Sequence, residues 1–192
     1  MIAIIDYNAG NTRSVQNALE RLGQQAVVTH DAEIITMADK VIFPGVGEAG
    51  SAMKYLIDLN LDRVIGSLTQ PFLGICLGLQ LMCRSSEESN TPGLSIFDTD
   101  VRKFPPGGLV PHMGWNTLTD LSGPLFKGLP DSNDMYFVHS YFAQLCGDTT
   151  ATCTYILPFS AALQRDNFFA VQFHPEKSAD TGERILKNFL AL

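Results

Sequence analysis

The stretch "TQPFLGICLGLQLM", residues 69–82, places a cysteine where an apolar run gives way to a helix-like pattern. "PFLGIC" (71–76) has the length and bulk of a buried strand, and "LGLQLMCRSSEE" (77–88) reads as helix. Gly74 and Gly78 flank Cys76 in a G-x-C-x-G pattern. A tight strand-to-helix turn crowds the backbone, and glycines remove the side chains that would clash there. The same spacing around a serine builds the nucleophile elbow, which holds the reactive atom exposed at the end of a sheet. A helix start also offers unpaired N–H groups and the positive end of the dipole, both favourable to a thiolate. For a cysteine chosen at random, burial as a small hydrophobe is the better bet. Partners elsewhere in the chain must decide.

Around this corner the N-terminal half alternates strands and helices. "MIAIID" (1–6), "QAVVTH" (25–30) and "KVIFPG" (40–45) are short apolar runs. Between them, "TRSVQNALERLG" (12–23) carries Val15, Ala18, Leu19 and Leu22 at helical spacing and closes on Gly23. "EAGSAMKYLIDLN" (48–60) and "LDRVIGSL" (61–68) are further helical segments. Such alternation indicates a parallel sheet covered on both faces. The C-terminal half differs. "GLSIFDTDVRKF" (93–104), "MYFVHSYFAQL" (135–145), "TATCTYI" (150–156) and "AALQRDNFFAVQF" (161–173) are extended and separated by Gly, Pro and Asp turns. A helix, "TGERILKNFLAL" (181–192), closes the chain. The expected architecture is α/β, a mostly parallel sheet flanked by helices with antiparallel strands added in the C-terminal half. Residues 1–192 are expected to form a single domain.

Composition narrows the partners. A formal charge of −7 with only 13 basic residues, scattered along the chain, argues against nucleic acid. No apolar stretch approaches the roughly 20 residues of a membrane-spanning helix, and no signal-peptide pattern opens the chain. A soluble, cytoplasmic protein is expected. Cys76, Cys83, Cys146 and Cys153 show no zinc-ligand spacing, so neither a metal nor another cofactor is expected. In a reducing compartment most of them should be free and buried.

Two further stretches carry chemistry. In "AVQFHPEKS" (170–178) a strand-like run ends at His174, with Glu176 two residues on. In extended chain those two side chains share a face. A histidine there can take a proton from a thiol while a carboxylate fixes its tautomer. A surface turn is an equally good reading of that string alone. "IFPGVGEAG" (42–50) ends a strand in a glycine-rich turn whose backbone N–H groups, at Val46 and Gly47, could face a site. It lacks the endings of phosphate and dinucleotide loops.

"PGVG" (44–47), "GICLGLQ" (74–80) and "FHPE" (173–176), in this order, resemble the class I (triad) glutamine amidotransferases. "IDYNAGN" (5–11), "PHMGWN" (111–116), "YFVHSY" (136–141) and "HPEKS" (174–178) are similar to the branch formed by the glutaminase subunits of imidazole glycerol phosphate synthases. The resemblance covers essentially the whole chain and implies a flavodoxin-like fold. It implies hydrolysis of L-glutamine by Cys76, His174 and Glu176, with an oxyanion hole at Val46, Gly47 and Leu77. Gln80, His139, Ser140 and Tyr141 would hold substrate. A (β/α)8-barrel cyclase subunit would receive the ammonia for histidine biosynthesis, in a heterodimer. Asn8, Asn11, His112, Met113, Trp115, Asn116 and Lys177 would lie near that interface, with "PHMGWN" in a loop-like setting. Rival readings are a paralogue feeding another acceptor, a non-catalytic binding protein on the same scaffold, and a cysteine hydrolase of peptides or esters.

Overall fold

Ile2 and Ile4 pack into one buried cluster while Ala3 and Ile5 pack into another. Period-two alternation within an apolar strand therefore builds two cores, one on each face of a sheet. A computed structural model describes residues 1–7, 10–129 and 133–192. The N-terminal half runs β1 (Ile2–Ile5), α1 (Thr12–Arg21), β2 (Ala26–Thr29), α2 (Ala32–Met37) and β3 (Lys40–Gly45). It continues through α3 (Ala49–Asp58), α4 (Leu61–Ser67), β4 (Phe72–Cys76) and α5 (Leu77–Met82). Then come β5 (Cys83–Ser86), β6 (Thr91–Pro92), β7 (Phe97–Lys103), β8 (His112–Thr119) and β9 (Asn133–His139). The chain ends with β10 (Tyr141–Ala143), β11 (Thr149–Tyr155), β12 (Leu157–Arg165), β13 (Phe168–Val171) and α6 (Ala179–Leu190).

Among the described residues, nine strands form one mixed sheet in the order β2-β1-β3-β4-β13-β12-β11-β8-β9. The pairings from β2 to β13 are parallel and the rest antiparallel. This is the expected α/β architecture with its antiparallel addition. A second sheet, β10-β7-β5-β6, flanks it. Val15, Leu19, Ile185 and Phe189 of α1 and α6 bury against one face of the main sheet. Met53, Leu56, Ile65 and Leu79 of α3, α4 and α5 bury against the other.

Three features depart from the sequence reading. The helix predicted over 77–88 stops at Met82, where Cys83 turns extended with ψ 172°. The carbonyls of Leu81, Met82 and Cys83 accept from the backbone N–H groups of Leu94, Ile96 and Ser95, which takes the acceptors a longer helix would need. Arg84 and Ser85 then bond to Asp100 across the β5–β7 pair. Secondly, "PHMGWN" is not a loop: residues 112–116 lie in β8, paired with β9 from His112↔His139 to Leu118↔Asn133. Thirdly, α2 has no counterpart among the predicted helices. It is six residues long and is defined by Asp31, whose carboxylate caps Glu33 N and Ile34 N at 2.8 and 3.3 Å.

The glycines around Cys76 are set by contact. A Cβ on Gly78 would stand 1.9 Å from the Phe43 carbonyl oxygen, and one on Gly74 would meet Met82 Sδ at 2.5 Å. Gly66, inside α4, has open space around it. Gly78→Ala is therefore expected to destabilise by about 3 kcal/mol through backbone overlap. Gly66→Ala is expected to stabilise by about 0.5–1 kcal/mol. Urea-unfolding midpoints of the two variants measure both.

Candidate active site

Register places the site. Gly45 and Cys76 are paired at the ends of β3 and β4, so Val46 and Gly47 run on beside Cys76 and Leu77. β13 is the parallel neighbour of β4 on its other side, with Val171 opposite Ile75, which carries His174 to the same edge. The C-terminal edge of a parallel sheet is where such folds assemble their sites.

Cys76 is the hinge of the turn. Its backbone, φ 55° and ψ −106°, lies outside the regions comfortable for a side chain with a Cβ. Cys76 is 6% exposed, and its sulfur sits 3.9 Å from the Val138 carbonyl and 3.6 Å from Gln172 Nε2. His174 follows the strand end and is fully buried. Its Nδ1 lies 2.8 Å from Glu176 Oε1, within a short 3-10 turn, Pro175–Lys177, instead of the extended chain the sequence suggests. Asn11 donates from Nδ2 to the same Glu176 oxygen at 2.7 Å. Among the described residues His174 Nε2 is a buried nitrogen without a hydrogen-bond partner.

The electrostatics follow from these neighbours. Burial alone would lower the His174 pKa, but the Cys76 and Glu176 side chains outweigh it and lift the value to about 9. For Glu176 burial pushes upward, while His174 and then Asn11 outweigh it and hold the carboxyl below its usual range. Chemically the arrangement is an imidazole whose one nitrogen is fixed by a carboxylate and whose other is open, beside a thiol on a strained turn.

In front of the thiol lies a cavity of ≈ 310 Å³, lined by Val46, Gly47, Cys76, Leu77, Gln80, His139, Ser140 and Tyr141 together with Glu88, Pro111 and Val138. The structure thus brings together the residues assigned from sequence to nucleophile, oxyanion hole and substrate. Gln80 is buried, its Nε2 donating to the Tyr141 carbonyl at 3.0 Å and to Gln172 Oε1 at 3.1 Å. His139 Nδ1 donates to the same carbonyl at 2.7 Å.

The residues assigned to an interface divide. Trp115 and Met113 are 55% and 63% exposed on β8, and Lys177 is exposed. His112 is not on the surface: it is 3% exposed, stacked on Tyr155 at 4.0 Å and bonded to His139 at 3.0 Å. Asn116 is half-buried and bonds to His112 Nε2 at 3.2 Å, and Asn11 is engaged with Glu176. Asn8 lies outside the described residues. Among the described residues no group of three or more His, Cys, Asp or Glu could hold a metal ion. No described helix is long and apolar enough to cross a membrane.

Glu88 and Gln172 are site residues to which the sequence reading assigns no role. Glu88 Oε2 accepts from Ala49 N at 2.8 Å, and burial raises its pKa. In sequence it sits in the stretch predicted as helix, so nothing aims it at the cavity. Gln172 does carry a signal, being a polar residue in an apolar run two residues before His174, on the same face if the run is extended.

The chain belongs to the class-I glutamine amidotransferases, whose family description matches residues 3–192. It is 58% identical to the imidazole glycerol phosphate synthase subunit HisH of Bacteroides fragilis (strain YCH46), over 100% of this chain and 99% of that protein. It is 46% identical to the subunit of the same name from Yersinia pseudotuberculosis, with the same coverage. In fold it matches a crystal structure of a glutamine amidotransferase from Thermotoga maritima, TM-score 0.65 at 17% identity, covering 99% of this chain and 82% of that one.

The shifts of the buried pair set a pH dependence. A group raised from 6.5 to about 9 contributes fully below pH 6.5, and the contribution is lost as pH rises towards 9. The depressed Glu176 contributes above its ordinary value of 4.5 and loses that contribution as pH falls. Glu176→Gln removes the carboxylate's share of the lift on His174 and leaves that of Cys76. The fall in urea midpoint between pH 6.5 and about pH 9 should then be smaller in this variant than in the wild type.

Proposed function

We propose that this chain is the glutaminase subunit of an imidazole glycerol phosphate synthase, acting as one glutamine amidotransferase domain over residues 1–192. The observation that carries the reading is the convergence of Cys76 and the His174–Glu176 pair above a cavity holding Gln80 and Glu88. Full-length identity of 58% to a subunit of that name supports the pathway.

Glutamine enters with its side-chain amide towards Cys76. Its ammonium meets the half-buried carboxylate of Glu88, and its amino-acid end rests on the His139–Tyr141 segment. His174 Nε2 holds the proton taken from Cys76, and the sulfur attacks the amide carbon as a thiolate. The oxyanion forms against backbone N–H groups of Leu77 and of Val46 or Gly47. α5 is only six residues long, so these donors matter more than any helix dipole. Collapse passes the proton from His174 to nitrogen and ammonia departs, leaving a γ-glutamyl thioester. Water, deprotonated by the same imidazole, releases glutamate. Glu176 and Asn11 keep the ring in one orientation throughout. A pKa near 9 keeps the imidazolium available as acid through neutral pH.

The ammonia passes to a cyclase barrel subunit, which forms imidazole glycerol phosphate and an aminoimidazole carboxamide ribonucleotide in histidine biosynthesis, in the cytoplasm. Exposed Trp115 and Met113 on β8 suit the docking face, since aromatic and Met side chains are favoured there.

Ammonia release from glutamine, with and without the cyclase and its ligand, tests the reading. Cys76→Ala should lose at least about 10³-fold in kcat. Glu88→Gln should raise KM about 10- to 100-fold with kcat little changed, as expected for lost ground-state charge pairing. Activity that survives Cys76→Ala contradicts the reading. Trp115 fluorescence should change on titration with the cyclase, and an unchanged spectrum contradicts the docking face.

A further inference from the structure

Gln172 is 0% exposed and touches no solvent, yet its amide reaches the sulfur of Cys76. Which of its two ends faces the sulfur follows from chemistry alone. The Tyr141 carbonyl oxygen can only accept, so Gln80 must present its NH₂ to it. The second hydrogen of that NH₂ points at Gln172, which must therefore offer Oε1, 3.1 Å away. Gln172 is left with Nε2 towards Cys76 Sγ, at 3.6 Å. His139 reinforces the fixed point, since its Nδ1–H donates to the same Tyr141 carbonyl at 2.7 Å. One backbone carbonyl thereby sets the direction of every bond up to the nucleophile.

The structure assigns Gln172 a catalytic role: its side-chain N–H holds the Cys76 sulfur and disperses the negative charge that sulfur carries before attack. The assignment deepens the glutaminase reading and rests on Cys76 being the nucleophile. A donor at this distance adds a charge-assisted bond to the anion and a weak one to the neutral thiol, so it favours the reactive form. The bond relaxes when sulfur becomes a neutral thioester. Gln80 gains a second task beside the cavity, locking the Gln172 amide against rotation. The titratable groups facing the sulfur are His174 from the turn after β13 and Tyr7 from the segment after β1, with Glu88, His139 and Tyr141 across the cavity and Glu176 behind the imidazole.

The test is alkylation of the full chain by iodoacetamide across pH, with the Cys76 peptide quantified by mass spectrometry, alongside glutamine kinetics. Gln172→Met keeps volume and removes the donor. Its Cys76 alkylation rate at pH 7 should fall about tenfold, the midpoint of the profile should rise by about one pH unit, and kcat should fall about tenfold with KM unchanged. Gln172→Leu also removes the donor without adding charge and is the second probe should the methionine variant unfold, with the same rise of the midpoint expected. A purely structural glutamine would leave the midpoint where it is in both variants. An unmoved midpoint in either folded variant, with Cys76→Ala inactive, overturns the assignment and leaves the glutaminase reading standing. Activity in Cys76→Ala overturns both.

Discussion

The backbone at Cys76 is the constraint on which the remaining structure depends. A residue with a Cβ held at φ 55° and ψ −106° costs about 1–3 kcal/mol, and it persists only because its surroundings leave no alternative. Strand β4 fixes the chain before it and α5 fixes it after. The two pack so closely that Gly78 lies under the Phe43 carbonyl and Gly74 against Met82. Relaxing the turn would pull α5 from the sheet and expose Leu79 and Met82, both buried in the core. Core burial thus stabilises a strained thiol, and the thiol stands at the sheet's edge as a result.

Once that point is fixed, parallel pairing does the assembly. β3 and β13 flank β4 in register, so residues far apart in sequence arrive at one edge with no long loop to position them. Burial then sharpens the chemistry. Glu176 and His174 are both removed from solvent, where an unpaired charge would be costly, and each is held by the other. Asn11 adds a neutral donor to the carboxylate, which steadies it without competing for the proton. An amide chain anchored on the Tyr141 carbonyl ends at the same sulfur with a donor of fixed direction.

Much of this is legible in the sequence wherever periodicity or a short string carries it. β3 occupies the predicted residues 40–45, and His174 and Glu176 lie side by side at the strand end. Tertiary hydrogen bonds are not legible. The run after Met82 keeps a helical pattern, yet its carbonyls are claimed by residues 94–96, which no local window contains. For the same reason Glu88 gives no hint of facing a cavity. "PHMGWN" resembles a loop because of its proline and glycine, while the strand it pairs with, β9, begins only at Asn133. The strings suggest His112 and Asn11 near an interface, and in the structure both make internal bonds, to His139 and to Glu176.

The central claim is that Cys76 alone, among four free cysteines, is built to attack a glutamine amide. Labelling with a glutamine analogue that carries an electrophile in place of the amide, followed by peptide mapping, addresses this directly. The account predicts one adduct, on Cys76, and protection by excess glutamine. Labelling of Cys83, Cys146 or Cys153 at a comparable rate, or an adduct on Cys76 that glutamine does not suppress, would contradict it.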